Sequence, residues 1–234
     1  MIDKEQLSDR LSRVEEKINK YARSVGRSSD EIKMVAVSKS QPLQKIEYFL
    51  DRGVRLFGEN RARELRRKNR KLQETDISWH FVGHLQRNKV KYLLRMKNCL
   101  MIESLDSRRL AREIDKRAKK NDRIMPLLVQ VNVGGEESKY GINPEDTLSF
   151  IQEVSRLENI ELKGLMTLPP YKENPEEVRP FFKQLCEIKD LVQKKGFAEI
   201  KELSMGMSHD FHIAIEEGAT IIRVGRALFG PREN

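Results

Sequence analysis

The chain has 234 residues, is 38% hydrophobic and carries a formal net charge of +9. This length and composition suffice for one sizeable core, so we expect a single domain over residues 1–234. The sequence has no run of about 20 apolar residues, which a membrane helix needs, and its polar first six residues exclude a secretory signal. The two cysteines, Cys99 and Cys186, have no metal-ligand spacing. We therefore expect a reduced, cytoplasmic protein with no metal site and no membrane partner.

The positive charge is concentrated in three segments with helical periodicity. Residues 61–70 contain six basic residues and one acid, and residues 87–97 and 108–123 are also rich in lysine and arginine. A basic surface of this kind can attract nucleic acid. These segments contain few aromatic side chains for stacking on bases, however, and charged runs on helices are usually solvated. We therefore do not expect a nucleic-acid partner.

The apolar pattern predicts an N-terminal helix followed by eight alternations of strand and helix. The first helix ends near Gly26, and its apolar positions are Leu7, Leu11, Val14, Ile18, Tyr21 and Val25. The predicted strands cover residues 34–37, 54–58, 77–83, 99–103, 125–133, 160–166, 200–204 and 220–224. Asparagine followed by proline marks two helix starts, at residues 143–144 and 174–175.

The alternation of elements predicts the fold. Strand and helix repeat at about 25 residues per unit, which implies parallel strands joined by right-handed helical crossovers. Eight such units match a closed (β/α)8 barrel, here with an extra N-terminal helix. An open doubly wound sheet is the alternative, because periodicity does not reveal whether the sheet closes.

Lys39 lies where the first predicted strand gives way to a loop and a helix. The strand is short, apolar and rich in valine, as buried parallel strands are, and Pro42 suits the first position of the next helix. Ligands of α/β folds bind at this edge. A lysine desolvated there can lose its proton and become a nucleophile. The alternative is that Lys39 is one more solvated cation among 45 lysines and arginines.

Small and polar residues follow the last two predicted strands. Barrels often bind phosphate there, because glycine lets the backbone approach and N–H groups point at the anion. Gly206, Ser208 and Gly225 have this chemistry, although each glycine alone could serve a tight turn. With Lys39 across the mouth, such a cradle suits pyridoxal 5′-phosphate, whose aldehyde forms a Schiff base with lysine. Arg223 would leave the pyridine nitrogen neutral, because arginine cannot accept a proton.

Eight segments carry a resemblance to a known family. They are residues 35–39 (VAVSK), 58–60 (GEN), 79–89 (WHFVGHLQRNK), 130–133 (QVNV), 137–141 (ESKYG), 164–166 (GLM), 204–210 (SMGMSHD) and 223–230 (RVGRALFG). In this order they resemble the pyridoxal phosphate homeostasis protein family. The departures are mild: Ser40 stands where the family usually has threonine, Ala219 where it often has serine, and residues 61–63 are more basic than in many relatives.

The resemblance implies a single barrel of the alanine-racemase N-terminal kind, which is fold type III of the pyridoxal phosphate proteins. It implies a Schiff base on Lys39, with Ser208 and the backbone of Gly225 at the phosphate. It also implies Arg223 at the pyridine nitrogen and Asn60 near the ring. The cofactor site that we predict consists of Lys39, Asn60, His84, Met207, Ser208, Arg223 and Gly225.

Three classes of function compete: a pyridoxal phosphate-dependent racemase or related enzyme, a carrier of the cofactor, and a nucleic-acid binder. Racemases of this fold type have a second, all-β domain, which we do not expect because the sequence stops soon after the eighth unit. Proton transfer on two faces needs two positioned groups, and besides Lys39 only Tyr140 is conceivable. We therefore expect a monomer that stores, delivers or buffers the cofactor without robust turnover. Its partners would be pyridoxal 5′-phosphate and the apo-enzymes that use it.

Overall fold

The computed structural model describes residues 2–136 and 139–231, which form a closed barrel of eight parallel strands. The strands are β1 (Lys33–Val37), β2 (Leu56–Glu59), β3 (Ser78–Phe81), β4 (Cys99–Leu105), β5 (Met125–Gln130), β6 (Ile160–Met166), β7 (Glu202–Met207) and β8 (Ile221–Val224). Each strand pairs with the next, and β1 pairs with β8, so that Val35 lies beside Arg223. The predicted (β/α)8 barrel is confirmed, and the alternative of an open sheet is wrong.

Helices connect the strands, and one helix precedes β1. In the described part of the chain they are α1 (Lys4–Ser24), α2 (Leu43–Asp51), α3 (Ala62–Lys71), α4 (Val90–Leu94), α5 (Arg108–Lys120), α6 (Thr147–Val154), α7 (Arg179–Lys194), α8 (Phe211–Glu216) and α9 (Arg226–Phe229). Short 3₁₀ turns lie at residues 29–31, 87–89, 144–146 and 175–178. Parallel strands require long crossovers of this kind, and the helices supply them.

Side chains alternate along each strand between the barrel interior and the layer that faces the helices. The apolar part of the interior consists of Val35, Val37, Met101, Leu128, Met166 and Ile221. A larger core lies between strands and helices, where Phe57 and Trp79 are fully buried. Because Phe57 faces outward, Gly58 faces inward, and a Cβ at Gly58 would lie 2.7 Å from Val35 Cγ1. The interior is therefore packed, and a ligand has access only at an end of the barrel.

The predicted N-terminal helix is α1, which packs against α8 and α9. Asp3 caps the helix, because its side chain accepts a hydrogen bond of 2.9 Å from Gln6 N–H. Its buried face consists of Leu7, Leu11, Val14, Ile18 and Ala22. Gly26 follows the helix with a φ of 70°, a conformation that glycine adopts without strain. The first helix of the chain thus covers the last two described helices.

Most strand boundaries shift by a few residues from the prediction, and three of the differences near the site have a clear physical cause. Pro42 has an extended ψ of 153° and is the N-cap of α2, not its first residue. β2 extends to Glu59, one residue beyond the predicted strand, because the backbone of Glu59 still pairs with β3. The fifth strand ends at Gln130, because the chain beyond it turns to a different partner: Asn132 N–H donates to the Ile142 carbonyl at 2.9 Å.

No helix in residues 2–136 and 139–231 has the length and apolar composition needed to cross a membrane. The histidine, cysteine and acidic side chains of the same ranges form no group of three that could hold a metal ion. Cys99 and Cys186 are free thiols. Burial raises the pKa of Cys99 to about 12 and that of Cys186 to about 11. Both thiols are therefore protonated and unreactive at neutral pH.

Candidate functional site

Lys39 lies in a tight turn at the carboxyl end of β1. Ser38 N–H donates to the Gly58 carbonyl at 2.9 Å, so the chain stays paired with β2 up to this residue. Gln41 N–H then donates to the Ser38 carbonyl at 3.0 Å and closes the turn. Lys39 is half-buried, and Ser40 has a φ of 59°, in the left-handed region. The turn holds Lys39 at the end of the barrel where sites are built in this fold.

The loops after β7 and β8 meet at the hydroxyl group of Ser208. Its Oγ accepts hydrogen bonds from the backbone N–H groups of Gly225 at 3.2 Å and Ala227 at 3.1 Å. Gly225 also lies against the end of β1, since a Cβ at Gly225 would be 3.2 Å from the Val37 carbonyl oxygen. One corner of the barrel mouth thus combines two N–H donors, a hydroxyl group and the turn that carries Lys39.

The backbone before Ser208 is fixed at the end of β7. Gly206 has a φ of 87°, and a Cβ there would lie 2.5 Å from Ala214 Cβ, so only glycine fits. Asp210 accepts a hydrogen bond of 2.6 Å from Met207 N–H. Burial raises the pKa of Asp210, although this hydrogen bond favours its charged form. The Met207 side chain itself is exposed.

Arg223 projects from β8 into the barrel interior, where it is only 3% exposed. Its guanidinium group donates to Ser204 Oγ at 2.5 Å and to the Thr167 carbonyl oxygen at 2.7 Å. Glu103 Oε2 lies 4.0 Å from Arg223 Nη1. Burial lowers the pKa of Arg223, against the opposing charge of Glu103, but arginine remains protonated at neutral pH. Arg223 is therefore a fixed, oriented cation beneath the mouth.

Glu103 links Arg223 to the opposite wall of the barrel. Its Oε2 accepts a hydrogen bond of 2.6 Å from the Ser204 hydroxyl, and its Oε1 lies 2.5 Å from His80 Nδ1. Burial favours a raised pKa for Glu103, but the hydrogen bond with His80 and the charge of Arg223 outweigh it, and the pKa is lowered. Glu103 is therefore a carboxylate at neutral pH. We call His80, Glu103, Ser204 and Arg223 the inner cluster.

A second buried cluster lies outside the barrel wall, between β2 and α3. Lys68 is 1% exposed, and its Nζ lies 2.7 Å from Glu59 Oε1 and 2.9 Å from Glu64 Oε1. Glu59 Oε1 also accepts a hydrogen bond of 2.7 Å from the Ser38 hydroxyl. Burial raises the pKa of Glu59, although the charge of Lys68 opposes this shift. Burial also acts to raise the pKa of Glu64, but the hydrogen bond with Lys68 outweighs it, and the pKa of Glu64 is lowered. We call Glu59, Glu64 and Lys68 the outer cluster.

The predicted residues Asn60 and His84 follow β2 and β3. Asn60 lies close to Gly83, since a Cβ at Gly83 would be 2.3 Å from the Asn60 carbonyl oxygen. His84 Nδ1 is 2.8 Å from Asp106 Oδ2, and its ring stacks on Tyr140 with centroids 3.7 Å apart. A cavity of about 790 Å³ beside this pair is lined in part by His84, Arg87, Asp106, Ser107 and Arg109. His84 therefore belongs to the β3–β5 side of the mouth, and Arg223 to the β7–β1 side.

The structure brings five of the seven predicted site residues to the ends of β7, β8 and β1. They are Lys39, Met207, Ser208, Arg223 and Gly225. Asn60 follows the adjacent strand β2, whereas His84 contacts the loops after β4 and β5. Within the matching segment 137–141, Glu137 and Ser138 lie outside the described residues.

Sequence reasoning missed the residues that hold Arg223 and the turn of Lys39. The signal for Glu103 was an acidic residue at the end of an otherwise apolar predicted strand, and that for His80 was a histidine in the preceding strand. Lys68 gave no such signal, because it is one of six basic residues in segment 61–70, which was interpreted as a solvated surface. In the structure Lys68 is almost completely buried.

Comparison with known proteins assigns the chain to a family. The alanine racemase N-terminal domain matches residues 10–233. A pyridoxal phosphate homeostasis protein of Aquifex aeolicus is 48% identical, over 96% of this chain and 98% of its own length, and one of Homo sapiens is 36% identical, over 86% and 77%. The solved structure of PipY of Synechococcus elongatus with PLP bound is 32% identical and has a TM-score of 0.82, over 96% of this chain and 100% of its own. The chain therefore belongs to the pyridoxal phosphate homeostasis proteins, within the alanine racemase N-terminal domain family.

Proposed function

We propose that this chain binds pyridoxal 5′-phosphate through a Schiff base on Lys39 and serves the homeostasis of that cofactor by storing, delivering or buffering it. The observation that carries the proposal is the meeting of three groups at the ends of β7, β8 and β1. These are the turn of Lys39, the N–H groups around Ser208 and the buried guanidinium of Arg223. The related protein PipY, solved with PLP bound, supports it.

Lys39 supplies the amine. Bound pyridoxal 5′-phosphate supplies an aldehyde that condenses with a lysine amine, with loss of water, and a ring that can accept electrons. Both neighbours of Lys39 are held through their backbones, because the Ser38 carbonyl accepts from Lys68 at 2.6 Å and the Ser40 N–H donates to Glu64 at 2.8 Å. The backbone from which the Lys39 side chain departs is therefore fixed before any ligand arrives.

Ser208 and Gly225 fit the phosphate group. The two N–H groups that bond to Ser208 Oγ converge on one oxygen atom, which is the arrangement that binds phosphate oxygens in barrels. Because Ser208 accepts these bonds, its own hydroxyl proton can be donated to a ligand oxygen. Gly225 has no Cβ, and a Cβ there would lie 3.2 Å from the Val37 carbonyl oxygen. The absence of a side chain leaves the backbone open to an approaching phosphate group.

Arg223 fits the pyridine nitrogen and argues against catalysis. A guanidinium group donates hydrogen bonds and cannot accept a proton, so it leaves the nitrogen unprotonated and the ring a weak electron sink. Ser204 and Thr167 hold the group rigidly in this role. The curated relatives are named homeostasis proteins and not racemases or decarboxylases, which supports a carrier without robust turnover over an amino-acid racemase.

We extend the proposal to the remaining expectations. Asn60, His84 and Met207 contact the cofactor, and residues 1–234 act as one barrel domain. The protein works as a monomer in the cytoplasm and exchanges the cofactor with apo-enzymes that use it. The two free thiols support a reducing compartment.

The proposal is tested by an absorbance spectrum of the protein with added pyridoxal 5′-phosphate, followed by borohydride reduction and peptide mapping. We expect an absorption band in the visible range and a pyridoxyl label on Lys39. Lys39→Ala is the control, and it should lose this label while the phosphate end still binds. Label found chiefly on Lys89 or Lys139 would contradict the assignment.

Turnover is tested on the same preparation. The loaded protein is incubated with a panel of amino acids in deuterated water, and exchange at Cα is followed by NMR. We expect no appreciable exchange. A rate above about 1 s⁻¹ for any one amino acid, the low end for ordinary enzymes, would show that the protein is a catalyst.

A further inference from the structure

Both peptide groups that flank Lys39 are held by one set of buried side chains. On the N-terminal side, Lys68 Nζ donates to the Ser38 carbonyl oxygen at 2.6 Å. On the C-terminal side, Glu64 Oε1 accepts from the Ser40 N–H at 2.8 Å. Lys68 and Glu64 are themselves 2.9 Å apart, so the two anchors form a single bridge beneath Lys39.

The bridge has little freedom to move. The Lys68 ammonium has three protons, and three oxygen atoms surround it: the Ser38 carbonyl at 2.6 Å, Glu59 Oε1 at 2.7 Å and Glu64 Oε1 at 2.9 Å. The side chain of Glu59 is fully buried and that of Lys68 is 2% exposed. Water therefore cannot replace these partners, and the position of the ammonium fixes the position of the Ser38 carbonyl.

The turn that the bridge holds is strained. Ser40 has a φ of 59°, which places its Cβ too close to the following carbonyl oxygen. A residue other than glycine keeps such a conformation only where its surroundings impose it, and these residues cluster at functional sites. The Glu64 carboxylate bonds to the N–H group of this same residue. The residue next to Lys39 is therefore both the strained one and the one that Glu64 holds.

We propose that Glu64 and Lys68 are positioning residues for Lys39, which hold the turn 38–40 in its strained conformation and so direct the lysine amine toward the bound aldehyde. This inference rests on the proposed function. It assigns the outer cluster a role in forming the covalent link, although the cluster lies outside the barrel wall, between β2 and α3. The lowered pKa of Glu64, which the Lys68 hydrogen bond brings about despite burial, keeps the anchor charged at neutral pH.

The test compares covalent linking with total binding. For each variant, the rate at which borohydride-trapped label appears on Lys39 is measured together with total bound pyridoxal 5′-phosphate from equilibrium dialysis and the thermal midpoint of the ligand-free protein. Substitution of a residue that has only a structural role changes the total binding and the thermal midpoint. The positioning role is tested at Glu64 and Ser40, where a substitution should change the trapping rate while total binding and the thermal midpoint stay near their wild-type values.

Glu64→Ala removes the anchor of the Ser40 N–H, and we expect trapping on Lys39 to slow about tenfold, as the loss of one charge-assisted hydrogen bond implies. Glu64→Gln keeps an oxygen acceptor for that N–H and should trap at close to the wild-type rate. Glu113→Ala is the matched control, because Glu113 also pairs with a basic residue four positions later in its helix, Arg117 at 2.6 Å. It should leave trapping unchanged.

A second pair of variants acts on the turn from its exposed side and leaves all three charged groups in place. Ser40→Pro cannot adopt a positive φ and has no N–H group, so it should slow trapping at least as much as Glu64→Ala. Ser40→Gly keeps both features and should trap normally. This pair decides the question even if Glu64→Ala fails to fold.

Two results would overturn the inference. One is trapping at the wild-type rate in both Glu64→Ala and Ser40→Pro. The other is a loss of trapping that only follows an equal loss of total binding or of the thermal midpoint. Failure of the proposed function looks different, because the wild-type protein itself would then carry no label on Lys39.

Discussion

The inner and outer clusters bury similar charges at the same end of the barrel, but they hold different things. The outer cluster holds backbone groups by hydrogen bonds: Lys68 donates to the Ser38 carbonyl, and Glu64 accepts from the Ser40 N–H. The inner cluster instead holds a side chain, because Ser204 and Glu103 lie beside the guanidinium of Arg223. The outer cluster therefore fixes the path of the backbone, and the inner cluster fixes the orientation of a charged side chain.

The difference follows from the alternation of side chains along a barrel strand. Glu59 faces outward from β2, so it can influence a ligand in the mouth only through the backbone of the wall. Glu103 faces inward from β4 and shares the interior with Arg223. The side of the wall on which a buried charge lies therefore decides whether it controls position or electrostatics.

Removing the charge of Lys68 should have the largest effect on stability. Lys68→Met leaves the fully buried Glu59 without its counter-charge, and breaking a buried pair in this way costs about 3–5 kcal/mol. We expect the free energy of unfolding, measured by urea titration at neutral pH, to fall by about this amount. Because burial already raises the pKa of Glu59, the loss should be smaller at acidic pH, where Glu59 is protonated.

Two controls accompany this variant. Lys68→Met combined with Glu59→Gln removes both charges and should recover part of the loss. Arg117→Met breaks the partly exposed pair with Glu113 and should cost less than about 1 kcal/mol. If Lys68→Met costs no more than Arg117→Met, the outer cluster does not hold the fold as its burial implies.

Glu103→Gln should have an intermediate effect and separates the two clusters. The substitution keeps the shape of the side chain but removes the charge that strengthens its bonds to His80 and Ser204. We expect a loss of about 1.5–3 kcal/mol in the free energy of unfolding. The rate of borohydride trapping on Lys39 should stay near the wild-type value. A slowing comparable to that of Glu64→Ala would mean that both clusters position the lysine.

Acid should produce the smallest effect, with opposite signs for two glutamates. The lowered pKa of Glu103 gives a stabilisation that is present above the unfolded-state pKa of about 4.3 and is lost as pH falls through the folded pKa. The raised pKa of Glu59 gives a stabilisation that is present below about 4.3 and is lost as pH rises through the folded pKa. The two clusters should therefore differ in their response to acid.

The measurement is the urea midpoint from neutral pH down to about pH 3, a range that extends to both sides of the usual glutamate pKa of about 4.3 because one pKa is raised and the other lowered. Glu103→Gln should flatten the decline in stability toward low pH, whereas Glu59→Gln should steepen it. The same direction of change in both variants would refute the opposite shifts of the two pKa values.

Sequence reasoning located the strands and the phosphate corner well. The bounds of β6, Ile160–Met166, agree with the prediction to the residue, because its alternating apolar positions begin after polar Asn159 and end before polar Thr167. Ser208 and Gly225 were expected to meet because the ends of neighbouring barrel strands share one face, and they are hydrogen-bonded to each other. Here the pattern along the chain was enough.

The partners of Lys39 and Arg223 could not be predicted in the same way. The helix that carries Lys68 is charged on most of its surface, so periodicity does not reveal which cation turns inward. That depends on Glu59, which lies nine positions earlier in the sequence, on a strand. The bounds of the short helix α9 could not be predicted, because four residues do not establish a period.

The pairing of β1 with β8, together with the packing of α1 on α8 and α9, has a consequence for the synthesis of the protein. Besides its pairing with β2, β1 needs β8, and α1 needs α8 and α9, which are all synthesised about 170 residues or more later in the chain. A nascent chain that stops before β8 has Lys39 but neither Arg223 nor Gly225 beside it. Because such long-range contacts form late, the capacity to retain pyridoxal phosphate should arise only when the barrel closes. Binding of the cofactor would then distinguish chains with a closed barrel from chains in which β8 has not yet paired with β1.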